Sequence, residues 1–226
     1  MKGWFITFEG TEGVGKSTQI ELLAARLRAA GLTVRQLREP GGTPIGEEIR
    51  HTLKHSSNNQ AMTAEAELLL MNASRAQLVR EIIRPALATG EVVVCDRFYD
   101  STTAYQGYGR GLDRQLVRQL IAFAVGPTQP DLTVLLHVPR EVSEQRRASR
   151  NAATGLVRDR FEEADTAFFE RVETGFLEIA AAEPHRVKLI AATAAITAVS
   201  EQIWALVAPL VAGQGMRLKV AGSAVR

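Results

Sequence analysis

A single cysteine, Cys95, stands among 226 residues, so no internal disulfide can form, which fits a reducing compartment. Cys95 ends the apolar run Val92-Val93-Val94-Cys95 and reads as a small buried hydrophobe rather than a nucleophile. No stretch of about 18 apolar residues occurs, so no membrane span is expected. The apolar start from Gly3 to Phe8 is short and runs straight into a glycine loop, so it is not read as a secretory signal. Excess charge is scarce: 27 Lys and Arg face 25 Asp and Glu, and the net charge of +2 supports neither a nucleic-acid partner nor a membrane surface. There is no internal repeat, no long low-complexity linker, and no guanine-reading N-K-x-D segment, which argues against a GTPase. The expectation is a cytoplasmic protein with one domain over 1–212 and a disordered tail over 213–226.

Strand-like and helix-like segments alternate along the chain. Short segments at Trp4–Phe8 (apolar), Thr33–Leu37, Glu91–Cys95, Leu132–Val138 and Arg186–Ile190 read as strands. Helical patterns cover Lys16–Ala30, Ile45–Lys54, Thr63–Ala88 (interrupted by Pro85), a stretch opened by Asp113 and closed by Gly126-Pro127, Arg140–Arg150, Phe161–Ala182 and Thr197–Val211. Asn151–Val157 has little periodicity and reads as a mobile loop. Strands separated by helices imply parallel βαβ units: an α/β fold with a five-stranded parallel sheet and helices on both faces. Ligands in such sheets bind at the carboxyl ends of the strands. That rim carries Glu9-Gly10, Arg38-Glu39 and Asp96-Arg97.

Gly10-Thr11-Glu12-Gly13-Val14-Gly15-Lys16-Ser17 fits the phosphate-loop pattern G-x-x-x-x-G-K-[ST], set between a strand and a helix as its physics requires. Glycines let backbone N–H groups approach phosphate oxygens, and the helix opening at Lys16 points its positive end at them. Lys16 supplies a charge for the β- and γ-phosphates of ATP, and Ser17 a hydroxyl ligand for Mg²⁺. Thr18 follows on the same first turn. Asp96, ending the third strand after apolar residues, is placed to hold Mg²⁺ directly or through water, the plainer alternative being a helix-capping or surface aspartate. This loop alone does not separate a kinase from a GTPase or an ATP-driven motor.

Three more segments bring polar groups to the same rim: Arg38-Glu39-Pro40-Gly41-Gly42-Thr43 followed by Gly46-Glu47-Glu48-Ile49-Arg50; Asp96-Arg97-Phe98-Tyr99-Asp100-Ser101-Thr102-Thr103-Ala104-Tyr105-Gln106-Gly107; and Asp159-Arg160-Phe161-Glu162. With the phosphate loop, these closely resemble the thymidylate kinases, in particular the bacterial kind, from about Gly3 to about Leu177. The resemblance implies phosphorylation of dTMP by ATP–Mg²⁺ and a homodimer. Carried over position by position, it implies that Arg97 and Arg50 hold the acceptor phosphate, where guanidinium forks suit phosphate oxygens. Arg75 resembles the arginine that reads the thymine base, with Ser101 and Gln106 as polar partners. Tyr105 resembles the tyrosine that fills the space of a ribose 2′-hydroxyl, and Glu12 the acid that contacts the sugar 3′-hydroxyl. Without the resemblance, Arg50 and Arg75 read as solvated helix charges and Tyr105 as a core aromatic.

Arg146-Arg147-Ala148-Ser149-Arg150, then Arg158-Asp159-Arg160, look like the family's lid, over about 146–160. Where the variable positions of the phosphate loop lack a basic residue, as here, the family's lid supplies the catalytic arginine. Arg150 is the first choice and Arg147 the second, while Arg146 is set to lie against the adenine. Two departures stand out. Met71 occupies the position where an aromatic residue often stacks on thymine, and Ile190-Ala191-Ala192-Thr193 lacks an aspartate expected near the adenine pocket. The alternatives are a kinase for another nucleoside monophosphate or nucleoside and, in a different class, a P-loop ATP-binding regulatory protein.

Overall fold

The computed structural model describes residues 3–154 and 165–212, with the backbone alone over 150–154. The expected tail over 213–226, and the lid positions Arg158, Asp159 and Arg160, lie outside the described residues. The parallel sheet consists of β1 (Trp4–Glu9), β2 (Val34–Arg38), β3 (Val92–Asp96), β4 (Leu132–His137) and β5 (Val187–Ala191), in the order β2-β3-β1-β4-β5. Its helices are α1 (Lys16–Ala29), α2 (Pro44–Lys54), α3 (Ala64–Leu78), α4 (Arg84–Ala88), α5 (Tyr99–Thr102), α6 (Arg114–Val125), α7 (Arg140–Thr154), α8 (Thr166–Ala182) and α9 (Ile196–Val211).

β1 is the centre of the sheet, paired with β3 on one side and β4 on the other, and the crossovers depart in opposite directions from it. A crevice therefore opens at its carboxyl end, beside the end of β3. Both faces of the inner strands are covered, so they read as continuous apolar runs. Ile6, Phe8, Val92, Val94, Val134 and Leu136 pack under α1 and α9, with Leu23, Leu27, Ile203 and Val207. Alternate residues Phe5, Val93 and Cys95 pack on the other face with Leu78, Ile83, Val117 and Ile121. Some polar groups within this core pair across it. Thr7 and Thr133 share a 2.7 Å hydrogen bond between β1 and β4, and Arg186 grips Asp100 of α5 with bonds of 2.7 and 2.8 Å. That grip ties the segment after β3 to the sheet.

Helix starts follow the residues that cap them. Thr63 Oγ1 accepts from the Ala66 N–H (3.3 Å), and Asp113 Oδ1 accepts from Gln115 and Leu116 (2.6 and 2.9 Å). Each such cap contributes about 1 kcal/mol. Three local departures from the sequence reading have physical causes. Pro85 does not break the long helix, because a wide turn at Val79–Ile83 intervenes and sets Pro85 at the start of α4, where its missing N–H is harmless. The helix α7 runs on to Thr154, over the first part of the loop expected at Asn151–Val157, whose remainder lies outside the described residues; Ala152 and Ala153 are strong helix formers. After β3 the chain is helical through α5 and a wide turn at Thr103–Gly109, where no helix was expected.

Candidate active site

The loop after β1 turns on Gly10, at φ 126°, and Gly13, at φ 80°. A Cβ on Gly13 would stand 2.6 Å from the Ser143 carbonyl oxygen, so only glycine lets α7 lie this close. The Ser143 hydroxyl completes the contact by donating to the Glu12 carbonyl oxygen at 2.7 Å. Lys16 is buried at the opening of α1, its Nζ donating to the carbonyl oxygens of Gly10 (3.0 Å) and Thr11 (2.9 Å). Burial and the neighbouring Arg97 lower its pKa, against the pull of Glu12, Asp96 and Glu9. Ser17 and Thr18 are exposed on the first turn of α1.

Two cavities meet beside this loop. One is lined by Pro40, Met71, Arg75, Phe98, Ser101, Thr102, Tyr105 and Gln106. The other is lined by Gly13, Gly15, Lys16, Ser17, Thr18, Arg38, Arg50, Asp96 and Arg146. Glu12, Glu39, Lys54 and Arg97 line both and form the wall between them. Sequence-derived candidates for a nucleoside monophosphate thus fall mostly on one side and Gly13, Gly15, Lys16, Ser17, Thr18 and Arg146 for ATP on the other, with Arg97 at the junction and Arg50 just across it, while Gly10, Thr11 and Val14 line neither cavity.

Arg97 is held at φ 68°, a region that residues with side chains seldom adopt. Its Nη1 donates to Ser101 Oγ (2.9 Å), and its Nη2 to Glu12 Oε1 (2.8 Å) and the Tyr105 hydroxyl (3.3 Å). Burial pushes the Glu12 carboxyl up, but Arg97, Lys16 and Lys54 outweigh it and hold it well below the usual range. Burial raises the Tyr105 phenol to about 12, so it stays protonated beside the guanidinium. Behind them sits Glu9, fully buried, its Oε1 accepting from the Phe98 and Ser101 N–H groups (2.7 and 3.2 Å) and its Oε2 from the Ser101 hydroxyl (2.6 Å). Burial, reinforced by Asp100, pushes the Glu9 carboxyl up to about 7.

In the first cavity Arg75 is almost wholly buried. It bonds Glu39 through Nε (2.8 Å) and Nη2 (2.7 Å), Asn72 through Nη1 (3.2 Å) and the Phe98 carbonyl through Nη2 (3.2 Å). A guanidinium carries five N–H donors and Nη1 makes a single hydrogen bond, so at least one N–H remains for the cavity. Burial raises Glu39 to about 7 against the pull of Arg75. The Gln106 amide donates to Glu67 (2.8 Å), itself buried and gripped by Arg110. That bond sets the amide so that its carbonyl is the group left for a ligand. Met71 does line the cavity, and Phe98 supplies the aromatic wall that position 71 lacks.

In the second cavity Arg50 Nη1 donates to the Pro40 carbonyl oxygen at 2.9 Å. Asp96 Oδ1 is buried and has no hydrogen-bond partner among the described residues. A carboxylate oxygen without a donor, lining the same cavity as Ser17, fits a hard divalent cation. No cluster of three or more His, Cys, Asp or Glu that could hold a metal occurs among the described residues, so substrate phosphate and water would have to complete the shell. Of the lid arginines, Arg146 lines this cavity and donates to the Ala192 carbonyl oxygen at 3.1 Å. It also lines a third cavity with Val14, Gly15, Thr18, Gln19, Ala192, Ala194, Ile196 and Val199, the apolar region where the expected aspartate is missing. Arg147, one helical step on, faces the other flank of the loop, its guanidinium 5.6 Å from the Phe169 ring, and the structure does not bring it to the phosphate cavity. The Arg150 side chain lies outside the described residues.

Sequence reasoning gave no role to four residues that build the site. Glu9 carried the signal that singled out Asp96, an acid ending a buried strand. Lys54 stands four residues after Arg50 on α2 and so on the same face. Phe98 and Ser143 gave no signal of their own.

A thymidylate kinase family model matches residues 8–203. The thymidylate kinase of Solidesulfovibrio magneticus is 50% identical over 208 residues, covering 91% of this chain and 99% of that protein. The thymidylate kinase of Pseudomonas syringae pv. syringae is 52% identical over 190 residues, covering 84% and 88%. The crystal structure of the Ehrlichia chaffeensis thymidylate kinase superposes with a TM-score of 0.73 at 35% identity, covering 92% of this chain and 99% of that one.

Proposed function

We propose a mechanism that proceeds from one premise: this chain belongs to the thymidylate kinase family. It is an ATP-dependent kinase that phosphorylates dTMP to dTDP in deoxynucleotide synthesis. The observation that carries the mechanism is the wall shared by the two cavities, with Arg97 in it. dTMP occupies the cavity of Arg75, Phe98, Tyr105 and Gln106. The remaining Arg75 N–H donates to a thymine carbonyl, the Gln106 carbonyl accepts from the ring N–H, and Phe98 and Met71 pack on the ring. Tyr105 closes the space beside the sugar, and Glu12 accepts from the 3′-hydroxyl. ATP lies along the loop with its phosphates over Lys16, Ser17 and Thr18 and its base in the apolar cavity beside Arg146.

Arg97 and Arg50 turn the acceptor phosphate toward the γ-phosphorus. A phosphate oxygen of dTMP attacks in line, the new P–O bond forms, and the bond to the β,γ-bridging oxygen breaks to release ADP. The acceptor is already ionised, so orientation and charge neutralisation lower the barrier without a general base. Ser17 and Asp96 would hold Mg²⁺, whose charge offsets that of the transferring phosphoryl. The lid arginine of first choice is Arg150, with Arg147 second. Arg147 would need α7 to turn before it could reach ATP.

Two copies pair through α3 and α6. Leu69 (55% exposed), Leu116 (49%) and Phe123 (80%) leave an apolar face on these adjoining helices, which supports the homodimer. No helix among the described residues is long and apolar enough to cross a membrane. With its thiol buried and unpaired, the protein suits a reducing cytoplasm.

An acceptor panel tests the reading. dTMP is expected to give the highest kcat/KM among dTMP, dUMP, UMP and thymidine, with dTDP and ADP formed in equal amounts. A preference for uridylate or a nucleoside, or ATP hydrolysis without dTDP, would contradict it.

A further inference from the structure

Glu9 lines neither cavity, yet it holds the turn that carries Arg97 and, through Ser101, one arm of its guanidinium. The chain leaves β3 in a turn strained at Arg97, and a backbone bond from the Arg97 N–H to the Phe8 carbonyl (2.9 Å) holds one side of that turn. Glu9, the next residue of β1, holds the other side, with Oε1 accepting the N–H groups of Phe98 (2.7 Å) and Ser101 (3.2 Å). Its Oε2 accepts the only proton of the Ser101 hydroxyl, at 2.6 Å. That hydroxyl must then present its lone pairs elsewhere, and Arg97 Nη1 donates to it at 2.9 Å. A chain Glu9–Ser101–Arg97 results, in which a buried carboxylate fixes both the backbone of the arginine and the direction of its guanidinium. A buried carboxyl is costly to leave without partners, and here three donors converge on its two oxygens. The arrangement also gives Ser101 a role other than contact with the base, since its hydroxyl is engaged on both sides.

We propose that Glu9 is a positioning residue for phosphoryl transfer, acting through Ser101 to hold the Arg97 guanidinium where the acceptor phosphate meets ATP. The proposal rests on the reading of Arg97 given above. A misplacement of about 1 Å at such a group costs on the order of 10²-fold in rate. Glu9 does not reach ATP, so its loss should leave the KM for ATP unchanged.

A double-mutant cycle tests it, using E9Q, R97A and the pair, with steady-state kinetics for both substrates. E9Q is expected to lower kcat/KM for dTMP on the order of 10²-fold in the wild-type background. In the R97A background it should cost less than about 2-fold, because the group it positions is gone. S101A, which cuts the chain while leaving Glu9 in place, should show the same dependence on Arg97 and stands in if E9Q does not fold. Equal losses from E9Q in both backgrounds, or wild-type kinetics in S101A, overturn the proposal while leaving the role of Arg97 intact. R97A turning over like wild type overturns both.

Discussion

Arg97 Nη2 lies 2.8 Å from Glu12 Oε1, so the end of β3 and the phosphate loop are joined by an ion pair at the mouth of both cavities. The pair is partly exposed, at 14% for Arg97 and 25% for Glu12, which leaves room for a ligand to approach it. The Glu12 carboxylate takes one arm of the guanidinium. An incoming phosphate needs that arm, and a sugar hydroxyl needs the carboxylate. On the proposed roles of the two residues, this one contact would couple recognition of the sugar to capture of the phosphate.

Asp96 gives a first prediction. Its unpartnered Oδ1 lines the phosphate cavity, and Asp96→Asn removes the charge while keeping the shape. The Mg²⁺ concentration for half-maximal rate should rise about 10- to 100-fold, with the KM for dTMP little changed. A Mg²⁺ titration of the variant indistinguishable from wild type would remove Asp96 from the metal site.

Stability should depend on pH through two raised carboxyls. Glu9 and Glu39 both stand at about 7 because of burial, against about 4.5 when unfolded. Between those values the native state binds more protons than the unfolded state, so each group adds stability below about 4.5 that is lost as pH rises through about 7. Glu12, held low by Arg97, acts oppositely: its contribution is present above about 4.5 and is lost as pH falls. Thermal unfolding midpoints measured between pH 5 and pH 8 should therefore fall with pH, and E39Q should flatten the decline. An unchanged slope in E39Q would contradict the assignment.

The apolar face on α3 and α6 predicts a dimer broken by charge. Leu116 and Phe123 are seven residues apart on α6 and so share a face, and Leu69 is exposed on α3, the helix packed against α6. Wild type should sediment at twice the chain mass and Phe123→Asp at the chain mass, with the fold retained. A monomeric wild type, or a dimeric variant, would exclude this face as the interface.

Much of this architecture was legible in the sequence because local signals and tertiary context agree. The three inner strands were apolar runs, the two edge strands were short segments between helical patterns, and the phosphate loop declared itself by spacing alone. Legibility failed where structure depends on partners distant in sequence. The helical segment after β3 has a wide turn at Thr103–Gly109, whose side chains do not repeat at helical spacing, and its glycines read as loop. Asp100 looked like one more polar loop residue; Arg186, 86 positions away, and Thr133, 33 positions away, explain its burial. Gln106 was readable as a site residue, but not Glu67, which orients it. Arg146 and Arg147 were adjacent letters in a basic run; the helix sends one to the phosphate cavity and the other behind the loop.

The central claim is that Lys16 serves one substrate and Arg97 the other across a common wall. Calorimetric titration of K16M and R97A with dTMP, and separately with a non-hydrolysable ATP analogue, tests it directly. The expected result is reciprocal: K16M loses the nucleotide triphosphate and keeps dTMP, while R97A loses dTMP and keeps the triphosphate. R97A binding dTMP as tightly as wild type, or either variant losing both ligands while folded, would contradict it.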